Sequence, residues 1–263
     1  MNATTLCNRV LRVTKWPLII GSMLLAIEIA PRLFRTLFDY HVWVKEPALG
    51  AATTGGAAYV AVWALWWRKC TSVEFWFTLE HEISHALASL VTANAVTTLN
   101  ASESGNGLLT TRGEGNWLIT SAPYWLPTVV IPCAVLLTFV ENENRSLAFA
   151  FGFFCAVHIH STYRETRFHQ PDLIRLGRIT IWCLLPAAHI IVAALLFSVA
   201  TGNKSLVARA ITDLKRDSSV VLRYIQRQIV NLPRSIPKVA FAPGRIESFV
   251  GDTTEFRAHR LSI

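Results

Sequence analysis

The chain has 263 residues, of which 52% are hydrophobic and 16% are charged, and its formal net charge is +8. The polar surface of a water-soluble domain cannot cover so much apolar sequence, so the composition indicates an integral membrane protein. The positive charge is concentrated in the N-terminal flank and after residue 203. Attraction to anionic lipid accounts for this distribution, and we expect no nucleic-acid partner.

Apolar stretches of about 20 residues, the length that a helix needs to cross the hydrocarbon core, recur along the sequence. They are residues 16–34, 49–67, 72–93, 123–140, 147–160 and 178–200, of which 147–160 is short for a span. Tryptophans and tyrosines lie near several of their ends, as in the aromatic belts of membrane proteins. The sequence therefore predicts an all-α integral membrane protein with about six transmembrane helices.

The chain is expected to have three parts. A basic flank precedes the first apolar stretch, which lacks a clean small-residue cleavage site and is interpreted as a retained anchor rather than a signal peptide. Residues 1–48 are predicted to form this anchor helix and a loop, 49–202 a membrane-embedded core, and 203–263 a basic amphipathic tail lying on anionic lipid. The basic flanks predict cytoplasmic termini, and with no organelle-targeting signal we expect a multi-pass protein of the bacterial inner membrane.

Residues 96–120 interrupt the apolar pattern with runs of Thr, Val and Leu and with four glycines. Such a segment is typical of a short β-hairpin. Irregular or strand-like backbone at membrane depth is tolerated only where it is buried in protein or lines a wet cavity. We therefore expect a hairpin-like element that lies against the membrane-embedded core.

A polar cluster lies inside the apolar stretch 72–93, where His81-Glu82-Ile83-Ser84-His85 forms an H-E-x-x-H motif. On a helix, two histidines four residues apart project from one face and can bind one zinc ion, while the glutamate takes a proton from water. A charged residue at the centre of a membrane helix costs roughly 2.5–3.5 kcal/mol, so such a cluster is costly without a function. The motif indicates a metal-dependent hydrolase.

A catalytic zinc site needs a third protein ligand. The candidates are Asp172, His158, His160 and His169. We favour Asp172 because it follows the Gln170-Pro171 break at the head of an apolar helix. His158 and His160 diverge by about 200° on a helix, so they cannot both face one metal, although one of them can support a ligand from the second shell.

The position of Asp172 raises a question of membrane topology. Pro171 suits the first turn of a helix, so we expect one helix from there to residue 200, with Asp172 at its positive N-terminal end. If 123–140 and 147–160 both cross the membrane, this helix and the H-E-x-x-H helix begin on opposite faces. Either 147–160 is not a full span, or 161–177 is re-entrant.

The sequence resembles the site-2 protease family of intramembrane zinc metalloproteases over about residues 72–200. The resemblance rests on HEISHALASL in an apolar helix, the Gly-rich segment after it, SAPYWLP, and QPDLIRLGR. It implies that His81, His85 and Asp172 bind zinc and that Glu82 activates water. Many family members have Gly where this chain has Ser84, and Asp-Gly where it has Asp172-Leu173, which suggests a divergent, minimal member.

The resulting hypothesis is zinc-dependent hydrolysis of a peptide bond in or near a transmembrane segment of a substrate protein. The substrate must unwind locally, and the 96–120 segment can hold it by edge pairing. Asn106 and Asn116 are available to bind its backbone, although turn residues are the simpler interpretation.

Two other functions compete with this hypothesis. A membrane di-iron oxygenase needs several clustered histidine boxes, but the chain has eight histidines, of which His41, His189 and His259 are remote from the rest. The remaining alternative is a non-enzymatic metal-binding scaffold or transporter.

Overall fold

The computed structural model describes residues 2–70, 72–102, 107–139, 144–166 and 170–201, together with 208–209, 211–212 and 215–216. His169, Asn106 and most of the predicted tail lie outside the described residues.

The described chain is mostly helical, with one small sheet. The helices are α1 (Ala3–Leu37), α2 (Tyr40–Lys45), α3 (Pro47–Leu65), α4 (Ser72–Val91), α5 (Trp117–Ser121), α6 (Ile131–Phe139), α7 (Arg145–Glu165), α8 (Pro171–Leu176) and α9 (Arg178–Ala200). The strands are β1 (Ala95–Ala101) and β2 (Gly107–Arg112).

Three of the described helical segments are long and apolar enough to cross a membrane: α1, α3 with the turn after it (Pro47–Lys69), and α9. The expectation of about six transmembrane helices is therefore not confirmed. The helix α4 has 20 residues but carries three glutamates. The stretch 123–140 is not one helix, because a 3-10 turn at Ala122–Tyr124 precedes α6, which has only nine residues.

The predicted hairpin is confirmed. Strands β1 and β2 are antiparallel, with Ala95 opposite Arg112 and Ala101 opposite Gly107. The chain enters β1 through a tight turn in which Ala93 has a φ of 56° and Asn94 N–H donates to the Ser89 carbonyl at 2.8 Å. Because this turn follows α4 directly, both strands contact the helix that carries the H-E-x-x-H motif.

Hydrogen-bonded side-chain amides fix the base of the hairpin to α1. Asn8 and Asn94 exchange side-chain hydrogen bonds of 3.1 and 3.0 Å, and Asn116 Nδ2 donates to Asn8 Oδ1 at 2.9 Å. The side-chain Oδ1 of Asn116 also accepts from Leu118 N–H and Ile119 N–H and so caps α5. These bonds hold the hairpin, α1 and α5 in fixed positions relative to one another.

The long helices pack in pairs, α3 against α7 and α1 against α9. The largest apolar cluster, to which α3, α6, α7 and α9 contribute, has six buried members. These are Leu49, Val130, Cys133, Leu137, Phe151 and Ala200.

The expected continuous helix from Pro171 to residue 200 is wrong. Gly177 has a φ of 82° and separates the short helix α8 from α9. This left-handed conformation suits glycine, which has no Cβ to clash with the backbone. The break gives Asp172 a helix of its own, whose direction is independent of α9.

Candidate metal centre

The two histidines of the motif lie on the buried face of α4, where His81 and His85 are 9% and 7% exposed. Their spacing of four residues places the imidazoles on the same side of the helix. The ring centroids are 4.9 Å apart.

The helix α8 brings Asp172 to the same point. Leu173 and Leu176 anchor α8 in a buried cluster with Tyr124 and Leu185, and Asp172 lies on α8 beside this anchor. Asp172 Oδ2 lies 3.0 Å from His85 Nε2 and 3.7 Å from His81 Nε2. The ligand atoms of His81, His85 and Asp172 therefore all lie within 4.8 Å of one another.

The chemistry of this group fits a metal cation. His85 Nδ1 lies 2.7 Å from the Ile119 carbonyl oxygen, which can only accept, so Nδ1 must carry the proton. In the neutral imidazole Nε2 is then an acceptor, and it faces another acceptor, the Asp172 carboxylate. A cation between them removes this repulsion. The observed separations are close to the roughly 3.3 Å expected between ligand atoms around a tetrahedral zinc ion.

Glu165, which the sequence reasoning did not select, adds a second carboxylate. It is the last residue of α7, and its Oε2 lies 3.8 Å from His81 Nδ1. Gln170 Nε2 donates to the same oxygen at 3.0 Å. The segment 161–178 is polar, but its sequence alone does not show that Glu165 reaches α4, because this depends on where α7 ends.

Glu82 is buried and lines a cavity of about 780 Å³ with the three candidate ligands. The strand β2 also lines this cavity, through Gly107, Leu108, Leu109 and Thr111. Gly107 approaches so closely that a Cβ built on it would overlap Glu82 Oε1. Because glycine has no side chain, Gly107 leaves room for the Glu82 carboxylate.

The other described histidine candidates have partners elsewhere. His158 Nδ1 lies 3.5 Å from Glu80 Oε1, and His160 Nδ1 lies 2.5 Å from the Tyr59 hydroxyl. Neither belongs to the group of converging ligand atoms.

A polar cluster behind the site links the motif helix to α7. The Glu80 carboxylate, which is 6% exposed, accepts hydrogen bonds from the Thr128 and Ser161 hydroxyls. His158 Nδ1 lies beside the same carboxylate. The helices that carry His81 and Glu165 are therefore joined by buried contacts one residue away from the motif.

In a comparison with protein families, the family model described as Peptidase M50B-like matches residues 55–200. The match covers more than half of the 263-residue chain and includes all three candidate ligands and Glu82. Comparisons with curated proteins and with solved structures gave no significant match. The chain belongs to the Peptidase M50B-like family, which supports a membrane-embedded protease.

Proposed function

We propose that this Peptidase M50B-like protein is a zinc-dependent intramembrane protease that hydrolyses a peptide bond in or near a transmembrane segment of a substrate protein. The observation that carries the proposal is the meeting of His81 Nε2, His85 Nε2 and Asp172 Oδ2 in the cavity that Glu82 lines. Membership of the family supports the same activity.

In this proposal His81, His85 and Asp172 hold the zinc ion. The ion supplies Lewis-acid chemistry, which acidifies water and polarises a carbonyl group. Glu82 acts as general base at its carboxylate oxygens, and it is buried in the lining of the cavity that the three ligands share. Tyr124, buried with its ring edge-on to His81 at 5.6 Å between centroids, restricts the rotation of that imidazole.

The strand β2 offers a way to hold the substrate in an extended conformation. Among the described residues, β2 pairs only with β1, so its other edge has no strand partner. A peptide that adds to this edge forms main-chain hydrogen bonds, which offset the cost of unwinding a substrate helix. Asn116 does not serve this purpose, because its side chain caps α5 and binds Asn8.

The membrane setting remains part of the proposal. We propose a bacterial inner-membrane protein with both termini in the cytoplasm and with the basic segment 203–263 on anionic lipid. The three long apolar helices support a membrane location.

Glu82→Gln provides the test of the mechanism. The variant protein and its parent are purified in detergent, assayed for zinc, and each is co-expressed with single-span reporter proteins whose cleavage products are identified by mass. We expect one zinc ion in both proteins and loss of cleavage in the variant alone, because the amide cannot accept the proton. Proteolysis that survives in Glu82→Gln contradicts the mechanism.

The same measurements address the competing function. If the parent protein binds zinc, cleaves none of the reporters, and behaves in the same way as Glu82→Gln, a non-enzymatic metal-binding scaffold is favoured.

A further inference from the structure

His81 has a buried nitrogen whose role the three-ligand site does not explain. A histidine that binds a metal through one ring nitrogen normally donates its other N–H to an acceptor, which fixes the tautomer and the ring orientation. For His85 this acceptor is the Ile119 carbonyl, 2.7 Å from Nδ1. His81 Nδ1 is buried and, among the described residues, has no hydrogen-bond partner.

Glu165 is placed to be the missing acceptor. Its Oε2 lies 3.8 Å from His81 Nδ1, which is roughly 0.6 Å beyond the upper limit of an N–H···O hydrogen bond. A small movement of the Glu165 carboxylate towards the ring would close this gap. Gln170 already donates to the same oxygen at 3.0 Å and so holds it near the ring.

The geometry also separates Glu165 from the candidate ligands. Its carboxylate approaches Nδ1 of His81, whereas Asp172 approaches Nε2. These two nitrogens lie on different sides of the imidazole ring. A carboxylate at Nδ1 can therefore influence zinc binding by fixing the orientation of the His81 ring, without contacting the zinc ion.

We propose that Glu165 is a positioning residue: it accepts the Nδ1–H of His81 and thereby keeps the Nε2 lone pair directed at His85 and Asp172. Gln170 orients Glu165 for this task. The end of α7 and the start of α8 then supply Glu165 and the ligand Asp172, and Gln170 lies directly before α8. This inference rests on the proposed zinc site.

The test is the zinc dissociation constant of the full-length protein in detergent, measured by competition with a chelator. Replacement of an outer-shell partner typically weakens metal binding by about 10- to 100-fold, and we expect a loss of this size for Glu165→Ala. Glu165→Gln keeps an oxygen acceptor, so its loss should be smaller. The matched control is Glu114→Ala, which removes a carboxylate from the same cavity where that carboxylate pairs with Arg12 and not with a histidine.

The control variant distinguishes a specific effect of Glu165 on His81 from the effect of removing any negative charge from the cavity. We expect Glu114→Ala to bind zinc as the parent does, within about twofold. An unchanged dissociation constant in Glu165→Ala, or an equal loss in Glu114→Ala, overturns the proposal. Absence of zinc from the parent protein overturns the proposed function as well, whereas zinc in the parent with no effect of Glu165→Ala overturns this inference alone.

Cobalt substitution distinguishes a positioning residue from a fourth ligand. If Glu165 acts through His81, cobalt-loaded Glu165→Ala keeps the visible absorption of the parent, because the ligand set is unchanged. A spectrum that reports a changed coordination number would make Glu165 a ligand and contradict the proposal.

If Glu165→Ala does not fold, Gln170→Ala replaces it in the measurement of zinc affinity. We expect a loss of at least about twofold in Gln170→Ala, and full affinity in this variant counts against the proposal.

Discussion

His85 Nε2 and Asp172 Oδ2 lie 3.0 Å apart, although 87 positions separate them in the chain. The contact joins a long helix to a helix of six residues that is held in place mainly by Leu173 and Leu176. The proposed zinc site therefore depends on the packing of α8 as much as on the motif in α4.

Asp172→Ala tests this dependence. We expect about one zinc ion per chain in the parent and a loss of affinity in the variant greater than the roughly 10- to 100-fold that outer-shell changes cause. Metal analysis after gel filtration in zinc-free buffer measures the difference. Glu114→Ala, which changes an exposed carboxylate of the same cavity, should keep its zinc. Full zinc occupancy in Asp172→Ala would require a different third ligand.

Gly107→Val tests the close approach of β2 to Glu82. A Cβ at this position would overlap the Glu82 carboxylate, and because a side chain yields more easily than backbone, we expect Glu82 to be displaced. Misplacement of a catalytic group by about 1 Å can cost about 10²-fold in rate, so kcat should fall by roughly this factor while zinc remains bound. The rate of reporter cleavage measures the effect.

Gly50→Ala is the control for this change, because its new Cβ meets no atom within 4 Å. It should cleave the reporter at the parental rate. Parental activity in Gly107→Val would show that Glu82 has more freedom than the structure indicates.

The motif and the hairpin could be predicted from sequence because local spacing determines them. The separation of four between His81 and His85 fixes their common face on any helix, and the glycines and β-branched residues of 96–120 favour paired strands. Asp172 could be selected because Pro171 marks the start of a helix. In each case the signal lies within a few residues of the feature.

The features that sequence reasoning missed depend on distant contacts. The role of Glu165 depends on where α7 ends relative to α4, and the partners of Glu80 come from Thr128 and Ser161. Gly177 was available as a local signal for the break between α8 and α9, since a glycine after the last residue of a helical pattern favours the end of a helix. The predicted span 123–140 differs from the structure because hydropathy does not reveal that its helix, α6, has only nine residues.

Glu80→Ala should destabilise the protein strongly. The change removes the carboxylate that accepts from the Thr128 and Ser161 hydroxyls, and each buried polar group left unsatisfied costs about 1–3 kcal/mol. We expect a clear fall in the melting temperature of the zinc-free protein in detergent.

Glu74→Ala is the control on the same helix. The Glu74 side chain is 45% exposed and pairs with Arg164, so its loss should lower the free energy of unfolding by at most about 1 kcal/mol. Equal melting temperatures for the two variants would contradict the importance of the buried cluster.

The pairing of α3 with α7 depends on two glycines that allow the backbones to meet. A Cβ on Gly55 would overlap the Phe149 carbonyl oxygen, and a Cβ on Gly152 would overlap the Ala52 carbonyl oxygen. Small residues at such contacts let membrane helices approach closely, and backbone atoms cannot move aside as a side chain can. Gly55→Ala and Gly152→Ala should therefore each lower the melting temperature, although alanine is otherwise the better helix former. Gly50→Ala on α3, with open space around its Cβ, should be neutral or slightly stabilising. The prediction fails if Gly55→Ala or Gly152→Ala melts at the same temperature as Gly50→Ala, since the two helices would then separate without cost.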